Sequence, residues 1–111
     1  MNFRRLMHFL NHEMKMREIY QPWLIRYLVF HDGESSVDGV AGDIPQPNGA
    51  PRYNRHLTPI SVLSRHGIVE ERPGGRLKLT TWPVSESERV QVLTRCEELI
   101  RTFERKRQWP K

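Results

Sequence analysis

The chain has 111 residues, a net charge of +5, 37% hydrophobic and 28% charged side chains, which is the profile of one modest globular core. That length leaves no room for two independent cores. The charged fraction and the interruption of the most apolar stretch, Trp23 to Phe30, by Arg26 exclude a segment of the roughly 20 apolar residues a bilayer span requires.

Phe3, Leu6, Met7, Leu10 and Met14 recur at spacings of three and four and predict a short helix with one apolar face. The basic pair Arg4-Arg5 before apolar residues superficially resembles a signal peptide, but His8, Asn11, His12 and Glu13 break the apolar region and no small-residue cleavage site follows. Met14 and Met16 are alternative starts, so residues 1–15 are expected to be an N-terminal helical extension. A central helix follows from Tyr20: Pro22 suits a first turn, and Trp23, Leu24, Ile25, Tyr27, Leu28 and Val29 are apolar on most sides. His31-Asp32-Gly33 predicts its end, with glycine as the C-terminal cap.

Ser35-Ser36 offers an N-cap for a helix marked by Val37, Val40, Ala41 and Ile44. The run Pro45-Gln46-Pro47-Asn48-Gly49-Ala50-Pro51 reads as a linker. Arg52 to Leu57 predicts a turn or two of basic helix, and Thr58 can cap a second short helix from Pro59 with Ile60 and Leu63 inward. The period then changes. Gly67 to Arg72 reads as a strand, Pro73-Gly74-Gly75 as a turn and Arg76 to Thr81 as an alternating strand, together a hairpin. Ser85-Glu86-Ser87-Glu88 opens a long C-terminal helix with the stripe Val90, Val92, Leu93, Cys96, Leu99, Ile100 and Phe103, ending in the basic run Glu104 to Lys111.

This order predicts an α+β, mostly α, fold: a winged helix-turn-helix with a two-stranded wing, an N-terminal helical extension and a long C-terminal helix. The expected divisions are 1–15, 16–84 for the winged-helix unit and 85–111 for the helix with its basic tail. Charge is unevenly spread, −4 over residues 31–50 and +4 over residues 51–84. A basic surface concentrates polyanions, so double-stranded DNA is the expected partner. Arg52, Tyr53, Asn54, Arg55 and His56 are candidate contacts, since arginine can bond guanine and asparagine adenine in two places each and His56 could touch phosphate. Arg72, Arg76 and Lys78 on the wing are candidates for phosphate or minor-groove contact. A solvated basic face is the plain alternative. So is a protein-interaction or homodimer module, using the Phe3 to Met14 helix and the Val90 to Phe103 stripe, or a small transcriptional regulator.

Three stretches carry a family resemblance: Arg17-Glu18-Ile19-Tyr20-Gln21-Pro22-Trp23-Leu24-Ile25-Arg26-Tyr27-Leu28, Leu63-Ser64-Arg65-His66-Gly67-Ile68-Val69-Glu70-Glu71, and Ser85 through Cys96-Glu97-Glu98 to Arg107. In that order they resemble the winged-helix module found ahead of HNH endonuclease domains and of some HIT-type domains. The resemblance implies a DNA reader for a fused or separate HNH nuclease and, through related restriction-enzyme modules, N6-methyladenine DNA as a ligand. Tyr20, Gln21 and Trp23 offer the aromatic and polar chemistry a methylated base needs, although Tyr20 and Trp23 also read as core.

No catalytic pattern is visible. His8 and His12 are spaced i, i+4 beside Glu13 but lack the His-Glu-x-x-His order, so no metal and no cofactor is expected. His31, His56 and His66 read as isolated. The lone Cys96 excludes an intramolecular disulfide, fits a reducing cytoplasm, and reads as a packed thiol.

Overall fold

A computed structural model describes residues 2–14, 20–43 and 57–107. It is α+β and mostly helical, with one small antiparallel sheet. Helix α1 (Phe3–His8) starts at Asn2, whose side-chain oxygen accepts from Arg5 N at 2.9 Å. It runs into a π turn over Phe9–Glu13, closed by Met14 N donating to Phe9 O at 2.9 Å. Leu6, Phe9 and Leu10 are buried, so this segment shares the main core rather than covering it.

Helix α2 (Tyr20–Phe30) is the centre of the molecule, packing against α5, α4 and the sheet. Leu24, Ile25, Leu28 and Val29 are all buried, as expected of a helix apolar on most sides. Each such side chain contributes about 1.5–3 kcal/mol by leaving water. Gly33 ends the helix at φ 91°, donating to Leu28 O at 2.7 Å. Asp32 also takes positive φ, at 58°.

Strand β1 (Glu34–Ser36) follows at once, where the sequence predicted only a cap. Three residues are too short to display a period. Ser36 nevertheless does cap helix α3 (Val37–Asp43), its hydroxyl accepting from Gly39 N at 2.9 Å. Helix α4 (Leu57–Arg65) buries Ile60 and Leu63. It is closed by Gly67 at φ 74° and by Ile68 N bonding Leu63 O at 2.8 Å.

Strands β2 (Val69–Arg72) and β3 (Arg76–Leu79) form the expected hairpin, with Arg72 paired to Arg76 and Val69 to Leu79. Both are shorter than predicted. At the far end, Trp82 N turns back to Leu79 O at 3.1 Å, which takes Thr81 out of the strand. The sheet order is β1-β3-β2, so β3 is central and β1 closes its free edge. Leu77, Leu79 and Val69 face the core.

Helix α5 (Glu86–Arg107) opens on a reciprocal cap: Glu88 N to Ser85 Oγ at 3.1 Å and Ser85 N to Glu88 Oε1 at 3.0 Å. Val92, Cys96 and Leu99 are buried in the core shared with α2, and Ile100 beside them is also buried from solvent. Val90 does not belong to that face and is 52% exposed. It lies nine residues before Leu99, on the opposite side of the helix from it. Arg26 Nη1 bridges α2 to α5 through Glu97 Oε1 at 2.9 Å.

Candidate nucleic-acid interface

The outward face of the sheet collects Glu34, Ser36, Glu70, Arg72, Arg76 and Lys78, because directly paired residues share a face and alternate residues return to it. Two rows result. Glu34, Lys78 and Glu70 stand side by side across the three strands, and Ser36, Arg76 and Arg72 form the row nearer the hairpin tip. The tip row therefore carries two like charges directly opposite one another. Each is compensated in the next row: Arg76 Nε lies 3.0 Å from Glu34 Oε2, diagonally across to β1, and Arg72 Nη1 lies 3.0 Å from Glu70 Oε1 along its own strand.

Beyond the tip row the chain turns through Pro73, Gly74 and Gly75. The two glycines have φ of 83° and 71°, and a Cβ on either would meet nothing within 4 Å. The tip is open and narrow. Gly75 O accepts from Val37 N at 2.8 Å, which fastens it to the start of α3.

Arg72, Arg76 and Lys78, all named from the sequence, are thus on one face. Arg52, Tyr53, Asn54, Arg55 and His56 lie outside the described residues. The aromatic and polar candidates on α2 occupy different surroundings. Gln21 is buried, and the Trp23 ring packs on the core and stacks on Tyr27 with centroids 5.0 Å apart. Tyr27 in turn meets His31 at 4.3 Å, so His31 is not the isolated residue the sequence suggested. Tyr20 belongs to α2, and its side chain lies outside the described residues.

Glu34 and Glu70 also stand on this face. The sequence carries a signal for Glu70, since a three-residue turn at 73–75 sets the register that places it beside Lys78. Glu34 carried no such signal.

A second charged cluster joins the N-terminal segment to the end of α4. Glu13 takes two bonds from Arg5, at 2.7 and 3.0 Å, and lies 3.1 Å from His8 Nε2 and 3.4 Å from His66 Nδ1. The Arg5 guanidinium, chiefly through these bonds, holds the Glu13 carboxyl below its ordinary value of 4.5. His66, read as isolated, also packs on the Phe9 ring with centroids 5.0 Å apart. Among the described residues no cluster of His, Cys, Asp and Glu could hold a metal ion.

On the outer side of α5 a cleft of about 370 Å³ is lined by Arg95, Glu98, Arg101, Thr102 and Arg105. The Arg95 Nε in its wall is buried without a hydrogen-bond partner. Cys96, on the inner side of the same helix, is buried and its thiol is pushed up to about 12 by desolvation. Among the described residues no helix is long and apolar enough to cross a membrane.

No protein-family model, curated protein or solved structure matches the chain.

Proposed function

We propose that the chain is a winged helix-turn-helix module that binds double-stranded DNA. The observation that carries this reading is the order helix, strand, helix, helix, hairpin, with β3 between β1 and β2 and an open glycine tip flanked by Arg72 and Arg76. In such a module the helix before the hairpin enters the major groove, for which its diameter of about 10–12 Å is suited, and the hairpin follows the backbone beside it. That helix is α4; the basic residues Arg52 to His56 precede it in sequence and lie outside the described residues.

Charge supports the same reading, since residues 51–84 carry a net +4. The face with Arg72, Arg76 and Lys78 then makes sequence-independent phosphate contacts that fix register. The competing interaction-module reading has less to work with. Its proposed apolar surfaces supply Leu6, Phe9, Leu10, Val92, Cys96, Leu99 and Ile100 to the core.

In this proposal the module recognises and does not cut, and the partner implied by the resemblance is an HNH nuclease, fused or separate. Adenine methylation is the modification that resemblance suggests it reads. Fluorescence anisotropy with one duplex in methylated and unmethylated forms tests both levels. Binding of either form supports the DNA reading, a preference for the methylated form supports the modified-base reading, and no binding of either near physiological salt contradicts both.

A further inference from the structure

We infer that Glu34 and Glu70 are internal counter-ions that occupy the two wing arginines in the free protein and set how tightly the hairpin takes a DNA phosphate. The inference rests on the DNA-binding reading. It follows from how the charges are arranged on the sheet face.

Arg72 and Arg76 are direct cross-strand partners, and like charges so placed repel. Neither guanidinium bonds the residue opposite. Each lies instead 3.0 Å from a carboxylate in the next row: Arg76 on Glu34 across the β1 edge, Arg72 on Glu70 along its own strand. Both contacts run away from the tip, where phosphate would arrive.

These pairs are suited to exchange rather than to permanence. Side-chain exposures of 39–53% leave all four groups in contact with water, where ion pairs are weak and screened. A phosphodiester offers two charged acceptor oxygens to a guanidinium, and its capture by a cation releases condensed counter-ions from the duplex, a gain no internal carboxylate supplies. Lys78 stands directly opposite both Glu34 and Glu70. When the arginines leave, the two carboxylates keep a cation between them. The glycines at the tip place no side chain in the way of a backbone.

The test is a gain of affinity, which misfolding does not produce. Glu34→Gln and Glu70→Gln should each tighten binding of a duplex by about two- to fivefold at fixed salt, the range expected from releasing an exposed ion pair. Glu71→Gln is the control: it removes the same charge one residue away, where Glu71 is opposite Leu77 and has no ion-pair partner among the described residues. Its effect should be smaller than either. The gain from Glu34→Gln should disappear in an Arg76→Ala background, because the counter-ion then has nothing to release.

Duplex binding with equal gains at positions 34, 70 and 71, or a gain from Glu34→Gln that survives Arg76→Ala, would overturn the inference and leave the DNA reading standing. Failure of every form to bind duplex would contradict the DNA reading itself, and the inference with it.

Discussion

Gly33 lies directly beneath the Trp82 ring: a Cβ built on it would stand 2.3 Å from Cγ and 2.4 Å from Cδ2. The same residue has φ 91°, and it carries two bonds that join the end of α2 to the sheet, donating to Leu28 O and accepting from Leu79 N, each at 2.7 Å. Steric and conformational demands therefore coincide at this one position. Gly33→Ala should destabilise the fold by about 2–4 kcal/mol, combining a strained φ with overpacking. Urea denaturation of the variant beside the wild type measures it, and a loss within about 0.5 kcal/mol, the range of ordinary surface changes, would contradict the packing described.

Leu10, 2% exposed, belongs to the same core as Leu28 and Leu63. If the N-terminal segment is integral, Leu10→Ala should cost about 2–5 kcal/mol, as deep core truncations do. An accessory extension would lose almost nothing. Thermal or urea unfolding distinguishes the two outcomes.

Glu13 sets a pH dependence. Its carboxyl is held below the ordinary value by Arg5, so its contribution is present when the unfolded-state carboxylate is ionised and fades as pH falls through the depressed folded-state pKa. Wild type should therefore be more stable than Glu13→Gln near neutral pH, and the difference should shrink on acidification below about 4.5, the ordinary value. Denaturation of both proteins at a series of pH values checks this. A difference that grows toward acid would contradict the geometry of the cluster.

The thiol of Cys96 should be inert. Burial raises its pKa to about 12, which leaves almost no thiolate at neutral pH and no path for a reagent. A thiol-reactive dye should label the denatured chain quickly and the native one only at the rate of opening. Rapid native labelling would place the residue elsewhere.

Much of the fold was legible because long periods carry strong signals. The stripe on α5, the apolar wrap of α2, and the alternation that follows Pro73-Gly74-Gly75 each repeat over enough residues to decide helix from strand. β1 did not, because Glu34-Ser35-Ser36 becomes a strand only by pairing with β3, some forty residues later. Tertiary pairing, not local preference, makes it. The same distance hid half of the sheet-face chemistry. Arg72 and Arg76 stand out beside a glycine turn, whereas the role of Glu34 depends on a neighbour that folding supplies. His66 was equally obscure, since its companions Phe9 and Glu13 come from the other side of α2 in the chain. Val90 marks the opposite error, an apolar residue counted into a stripe that the helical period excludes.

The most direct test of the central proposal is the salt dependence of duplex binding by wild type, Arg72→Ala and Arg76→Ala. The logarithm of the binding constant should fall steeply and linearly with the logarithm of salt concentration for the wild type, and each substitution should make the slope shallower by about one unit as one phosphate contact is lost. A wild-type affinity insensitive to salt, or slopes unchanged by both substitutions, would contradict the assignment of this face to the DNA backbone.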